Sequence, residues 1–148
     1  MGCFYLDATV ANMKDESRSI TVTKMLVDTG AKSSWIPRHL LESIGIERRK
    51  KDRAFQMANG SIITRAVGYA LLRSGEYETV DEVVLGEVDD MPILGARTLE
   101  GFNARVDPTN KRLVAAGPIP AATATREELE SKRAFLAPAN IEVRRNDR

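Results

Sequence analysis

The chain has 148 residues, with 22 Lys and Arg against 21 Asp and Glu and a single cysteine, and these counts exclude several classes of protein. A charge balance close to zero offers no basic excess for nucleic acid or for an anionic membrane, and one cysteine, Cys3, excludes an intrachain disulfide. The longest apolar run, residues 66–72, is far too short to span a bilayer. We therefore expect a cytoplasmic globular protein that binds neither nucleic acid nor membrane.

Two strand-like runs open the chain. Residues 4–11 and 19–27 are joined by a polar segment, residues 12–18, and this pattern predicts a hairpin. Asp28 follows the second run directly. Burial of a carboxylate without partners is strongly unfavourable, so an acid at this point indicates a function that offsets the cost.

The residues that follow Asp28 suit a tight loop. Gly30 permits close backbone approach, and Thr29 provides a hydroxyl that can cross-link two such loops. Farther on, Pro37 stands where a helix could begin and Gly45 provides a stop. The pattern predicts a functional loop followed by a short helix.

The middle of the chain contains a charge run and a second hairpin. Residues 47–53 lack aromatic side chains and include acids, which favours a solvated loop over a nucleic-acid site. Residues 55–58 and 62–67 flank Asn59-Gly60, a dipeptide that suits the positive backbone angles of a tight hairpin turn. The sequence therefore predicts a hairpin with its tip at residues 58–61.

Downstream, the pattern of strand followed by glycine occurs a second time. Residues 79–86 predict a strand, and residues 91–95 repeat the apolar run into glycine of residues 25–30, but without a second Asp. Residues 96–101 then predict a short helix, and residues 103–114 a closing hairpin.

The composition changes after residue 116. Residues 117–123 are rich in Pro and Ala and indicate a linker, and Thr125 with Glu128 has the spacing of a capping box that opens a helix to about Phe135. Residues 141–143 predict a short strand. We expect a domain at residues 1–116 and a C-terminal extension at residues 117–148.

Two motifs of this chain resemble the active-site pattern of the retropepsin-like (retroviral-type, clan AA) aspartic proteases. They are Val27-Asp28-Thr29-Gly30-Ala31 and, far downstream, Ile93-Leu94-Gly95. The resemblance extends from Phe4 to about Ala116, with the hairpin and the second glycine element in family order. It implies an all-β fold, a closed barrel with short helices, which works as a homodimer. It also implies that the chain termini interleave between subunits, which gives residues 141–143 a place at the interface; the alternative is a tail that is partly disordered.

The resemblance further implies an aspartic endopeptidase in which two aspartates activate one water, with no metal and no organic cofactor. Because the chain has one Asp-Thr-Gly, the second Asp28 must come from another copy. Thr29 would then hydrogen-bond across the dimer, and Gly30 would bring its amide to the carboxylate. An extended peptide or protein substrate would lie against Ala31 and a flap. The flap residues are Ala58, Asn59, Gly60 and Ser61.

The sequence also departs from the retroviral pattern. Lys32 stands where those enzymes commonly carry an acid, and Arg97 lies one residue later than their usual Arg, so the family's ion pair beneath the site is either absent or rebuilt. Trp35 is expected to pack in the core or shield the loop. One His and one Cys cannot form a typical metal-ligand set. The alternative to an enzyme is a catalytically silent module of the same fold that binds peptides or mediates dimerisation.

Overall fold

The computed structural model describes residues 3–121 and 124–133. These residues form mainly β-strands with three short helices, so the predicted all-β class is confirmed. The chain divides into two compact units, Met1–Gly117 and Pro118–Arg148. The elements are β1 (Tyr5–Asn12), β2 (Asp15–Asp28), β3 (Ser34–Pro37), α1 (Arg38–Ser43), β4 (Lys50–Gln56), β5 (Ile62–Ser74), β6 (Tyr77–Gly86), β7 (Ile93–Gly95), α2 (Ala96–Gly101), β8 (Ala104–Asp107), β9 (Arg112–Ala115) and α3 (Arg126–Arg133).

Seven strands of the first unit form one sheet in the order β1-β2-β7-β3-β6-β5-β4, while β8 and β9 pair separately. β1 also pairs with β5, with Val10 facing Leu72. Two pairs in the sheet are parallel, β2 with β7 and β3 with β6. Parallel neighbours end at the same edge of a sheet, so the loops after β2 and β7 meet although they are far apart in sequence.

The main core gathers apolar side chains from most of these strands and from α1. Met25, Ile36, Leu41, Leu72 and Leu94 are almost completely buried. Full burial of one such side chain contributes about 1.5–3 kcal/mol. Because Met25 and Leu94 belong to β2 and β7, this core fixes the two strands that end at Asp28 and Gly95.

A second, smaller cluster surrounds Trp35. Its side chain is buried against Val67 and Val84, and Phe55 and Ile63 pack at its margin. The rings of Trp35 and Phe55 meet edge to face with centroids 5.2 Å apart, a favoured aromatic geometry. The prediction that Trp35 packs inside the protein is confirmed. The cluster contacts the β4–β5 hairpin near its tip, where Phe55 faces Ile63.

The first hairpin is tighter than the sequence predicted. Asn12 pairs with Asp15 in the β1–β2 register, so the turn consists of Met13 and Lys14 alone. The side-chain oxygen of Asn12 accepts the backbone N–H of Lys14 at 2.9 Å. Such a bond stabilises a turn through the backbone, and the polar residues that follow continue as strand.

The charge run is partly strand, so the prediction of a loop was wrong from residue 50 onward. β4 begins at Lys50, which faces Val67 across the ladder, and Arg53 faces Arg65. Lys50 Nζ and Arg53 Nη1 lie 3.1 and 3.4 Å from Glu82 Oε1. Pairing with β5 and ion pairs to a shared carboxylate on β6 therefore stabilise a strand here, although its sequence is polar.

The second hairpin closes with a three-residue loop. The N–H of Met57 donates to Ser61 O at 2.8 Å, and that of Gly60 donates to Met57 O at 2.9 Å. Gly60 has a positive φ of 86°, but Asn59 does not, so the expectation of positive angles at both residues was wrong at Asn59. Its side-chain oxygen instead accepts the Ser61 N–H and hydroxyl at 2.9 and 2.6 Å, which closes the turn from within.

The second unit contains α3. Thr125 Oγ1 accepts the backbone N–H of Glu128 at 3.2 Å, which confirms the predicted helix start. The predicted helix end at Phe135 and the strand at residues 141–143 lie outside the described residues. Across residues 3–121 and 124–133, no helix has both the length and the apolar character needed to cross a membrane.

Candidate active site

Asp28 is the last residue of β2 and lies beside Gly95, the last residue of β7. The parallel register pairs Leu26 with Ile93, Val27 with Leu94 and Asp28 with Gly95. The two motifs singled out in the sequence are therefore neighbours at one edge of the sheet.

The loop after β2 holds the Asp28 carboxylate by its own backbone. The Gly30 N–H donates to Asp28 Oδ1 at 2.9 Å, and the Ala31 N–H donates to the Asp28 carbonyl at 3.2 Å. A Cβ at residue 30 would lie 3.2 Å from Asp28 Oδ1, so glycine is favoured here by close approach. Asp28 is half-buried, whereas Thr29 and Gly30 are exposed.

The two loops are also joined to each other by backbone hydrogen bonds. The Ala96 N–H donates to Ala31 O at 2.7 Å, and the Arg97 N–H donates to Lys32 O at 3.0 Å. A Cβ at Gly95 would lie 2.4 Å from the carbonyl oxygen of Ser33. Gly95 therefore allows a backbone contact that any larger residue would block.

The ion pair beneath the loops is rebuilt on a different strand. Arg97 Nη2 lies 3.1 Å from Asp81 Oδ1 and 3.4 Å from Glu82 Oε2, both on β6. Lys32, at the position where retroviral enzymes carry an acid, is exposed. Two neighbouring acids directly before the apolar run of residues 83–85 were the sequence signal for this pair, and they were not recognised.

Two further residues were missed by sequence reasoning. Ser34 and Thr98 are the buried polar side chains of the described chain, both 0% exposed. They lie directly under the two loops, and their hydroxyl oxygens are in hydrogen-bond contact. Because Ser and Thr are common surface residues, only burial identifies these two as part of the site.

The flap residues predicted from the sequence lie at the exposed tip of the β4–β5 hairpin. The hydrogen bonds described above for Asn59, Gly60 and Ser61 stay within the tip, and Ala58 is exposed. Next to the tip, Met57 and Ile62 expose 37% and 70% of their surface. The hairpin thus presents apolar side chains beside a turn that is closed by its own hydrogen bonds.

Arg65 of β5 and Asp90, in the segment before β7, form a bidentate ion pair. Arg65 Nε and Nη2 donate to the two carboxylate oxygens at 2.6 and 3.0 Å. The Arg65 guanidinium holds the pKa of Asp90 below its ordinary range, although burial acts in the opposite direction. The pair ties β5 of the β4–β5 hairpin to the segment that leads into Gly95.

We expect Asp90→Asn to lower the free energy of unfolding by about 1 kcal/mol at pH 7, and this difference from the wild type to vanish in acid. Because folding lowers the pKa of Asp90, its contribution is complete above the ordinary value of about 3.9 and is lost as the pH falls through the folded-state value. Urea unfolding between pH 7 and about pH 2, at one protein concentration, measures the difference. Asp89→Asn, an exposed neighbour, is the control. A difference for Asp90→Asn that stayed constant across this range would contradict the prediction.

No group of three or more His, Cys, Asp and Glu side chains within residues 3–121 and 124–133 has an arrangement that could hold a metal ion. The candidate site in this part of the chain is therefore described by one carboxylate, backbone amides and a supporting polar network.

Comparison with known proteins agrees with this geometry. A family model described as "gag-polyprotein putative aspartyl protease" matches residues 20–101, more than half of the 148 residues, and the match includes Asp28 and Gly95. No curated protein matches the chain. The resemblance found in the motifs is confirmed, and the chain belongs to this retropepsin-like family of aspartyl protease domains.

Proposed function

We propose that the protein is an aspartic endopeptidase that acts as a homodimer, with residues 1–116 as its protease domain. The observation that carries this proposal is the position of Asp28, at the end of β2 beside Gly95, with its carboxylate held by the Gly30 N–H at 2.9 Å. A half-buried carboxylate fixed by backbone at a strand end is suited to activate a water.

The homodimer follows from the count of carboxylates. The chain contains one Asp-Thr-Gly, and hydrolysis by this route needs two aspartates on either side of one water. Thr29 is exposed in the single protomer, so its hydroxyl is free to meet its counterpart across a two-fold axis. The pairing of β1 with β5 supports the closed barrel that the family resemblance implies.

In the proposed reaction the ionised Asp28 takes a proton from the shared water as the water oxygen attacks the peptide carbonyl carbon. The protonated Asp28 of the partner subunit donates a hydrogen bond to the carbonyl oxygen and stabilises the developing charge. Collapse of the tetrahedral intermediate breaks the C–N bond, and the leaving nitrogen receives a proton from the carboxyl pair. Water is the nucleophile, so no acyl-enzyme forms.

The substrate is proposed to be an extended peptide segment lying between Ala31 and the flap tip. Ala58, Asn59, Gly60 and Ser61 would cover it, and their exposure leaves them available for contact. An extended peptide can add strand-like backbone hydrogen bonds, while side-chain pockets provide specificity. The exposed Met57 and Ile62 favour apolar side chains in the substrate near the flap.

Dilution tests the proposal. Below the dimer dissociation constant, a tenfold dilution should lower the cleavage rate about a hundredfold, because each active site needs two chains. Initial rates on a mixed peptide library, with the oligomeric state followed by sedimentation, measure this. Two copies fused by a flexible linker form the control and should lose activity only tenfold. Full specific activity from a chain that sediments as a monomer would overturn the proposal.

A further inference from the structure

Beneath the two active-site loops lies a buried chain of hydrogen bonds that the catalytic steps above do not use. It begins at the Gly95 N–H, which donates to Ser34 Oγ at 2.9 Å. Ser34 Oγ lies 2.5 Å from Thr98 Oγ1, and Thr98 Oγ1 lies 2.7 Å from Asp81 Oδ2. Both hydroxyls are completely buried, so each would be strongly unfavourable without these partners.

The direction of every proton in this chain can be assigned. A carboxylate oxygen only accepts, so the single hydroxyl proton of Thr98 goes to Asp81. Thr98 then has no proton for Ser34, and Ser34 must donate in the bond between the two hydroxyls. The oxygen of Ser34 remains free to accept the Gly95 N–H. The chain therefore runs one way, from the Gly95 amide to the Asp81 carboxylate.

Arg97 completes the chain at its charged end. Its guanidinium donates to Asp81 Oδ1 through Nε at 3.2 Å and Nη2 at 3.1 Å, on the carboxylate oxygen that Thr98 does not use. The backbone of Arg97 also donates to Lys32 O at 3.0 Å. One residue thus ties the carboxylate on β6 to the loop that follows Asp28.

We propose that Asp81, Thr98 and Ser34 are positioning residues for Asp28, acting through the amide of Gly95. Gly95 is the residue that Asp28 faces in the parallel β2–β7 pair, so a shift of Gly95 is transmitted to Asp28 through the backbone. Charge-assisted hydrogen bonds are stronger than neutral ones, and the carboxylate at the end of the chain orders the two hydroxyls. This inference rests on the proposed proteolysis for its catalytic consequence, but not for the position of Gly95.

Thr98→Val provides the kinetic test, since it replaces the hydroxyl by a methyl group of similar size. We expect kcat to fall by up to about a hundredfold, the effect of a small misplacement of a catalytic group, with KM nearly unchanged. Thr98→Ser retains the hydroxyl and should keep most of the wild-type kcat. Circular dichroism and sedimentation establish that each variant is folded and assembles as the wild type does.

A double variant separates positioning from simple loss of stability. Ser34 and Thr98 act in series, so Ser34→Ala combined with Thr98→Val should lower kcat no further than the more damaging single change. Independent structural damage would instead multiply the two effects. Ser43→Ala, which removes a hydroxyl that bonds Leu40 O on α1, is the control and should leave kcat unchanged.

Amide hydrogen exchange tests the hydrogen-bond network by a measurement that does not require the protein to be catalytically active. The Gly95 amide proton should exchange faster in Ser34→Ala and in Thr98→Val than in the wild type, and at the wild-type rate in Thr98→Ser and Ser43→Ala. Unchanged protection of Gly95 in folded Thr98→Val would overturn the inference, as would a wild-type kcat in a variant with lost protection. If the wild type cleaves no peptide, the proposed function fails, and the exchange rates still decide whether the network holds Gly95.

Discussion

Asp28→Asn is expected to abolish peptide-bond hydrolysis and leave the fold intact. The two side chains have nearly the same shape, and the Asn oxygen can still accept the Gly30 N–H that now lies 2.9 Å from Asp28 Oδ1. What is lost is the group that takes the proton from water, so the rate should fall by up to about 10⁴-fold. Initial rates of purified proteins on a peptide library, with thermal unfolding as the check on folding, measure the effect.

Asp52→Asn makes the same chemical change at an exposed position on β4 and should leave the rate unchanged. Mixing the wild type with an excess of Asp28→Asn should lower activity by more than dilution alone, because mixed dimers carry only one of the two aspartates. Residual cleavage by Asp28→Asn at the wild-type rate would show that another site or a contaminant is responsible. A wild type that binds peptides but cleaves none would favour the silent binding module over the enzyme.

Gly95→Ala is expected to damage both stability and activity. The added Cβ would lie 2.4 Å from Ser33 O, 2.6 Å from Ser33 C and 3.0 Å from Ala31 O. All three are backbone atoms, so no side chain can swing away and the two loops must separate. We expect the free energy of unfolding to fall by about 3 kcal/mol and kcat to fall about a hundredfold or more.

Gly86→Ala is the matched control for this substitution. Gly86 is also a buried glycine at the end of a strand, but its added Cβ would have no neighbour closer than 3.4 Å. Urea unfolding and kcat, measured for both variants at the same protein concentration, show whether the loss of stability and activity is specific to Gly95→Ala. If Gly95→Ala were as stable and as active as Gly86→Ala, the close contact between the loops would not be required.

Several parts of the fold could be predicted because they depend on short stretches of chain. The β-strand that ends at Asp28, the short helix after Pro37 and the helix start at Thr125 follow from residue periodicity, from the position of proline and from capping. The pairing of the two motifs was predictable through resemblance, since Asp-Thr-Gly-Ala and Ile-Leu-Gly together are characteristic of one family. Predictions from local sequence were wrong where a side chain hydrogen-bonds to the backbone of a turn. At Asn12 the turn is shorter than predicted, and at Asn59 the backbone angle φ is not positive.

The sequence by itself therefore determined the strand end that carries Asp28, which depends on residues close together in the chain. It also determined the all-β class and the family, through the resemblance carried by two short motifs. Only the tertiary structure decided which groups support that residue. Ser34 and Thr98 are 64 positions apart, and Arg97 meets Asp81 on a strand that no local pattern connects with α2. Burial and hydrogen bonding between distant segments depend on the whole sheet, so a polar residue that looks like a surface residue in the sequence can lie completely buried beneath the candidate active site.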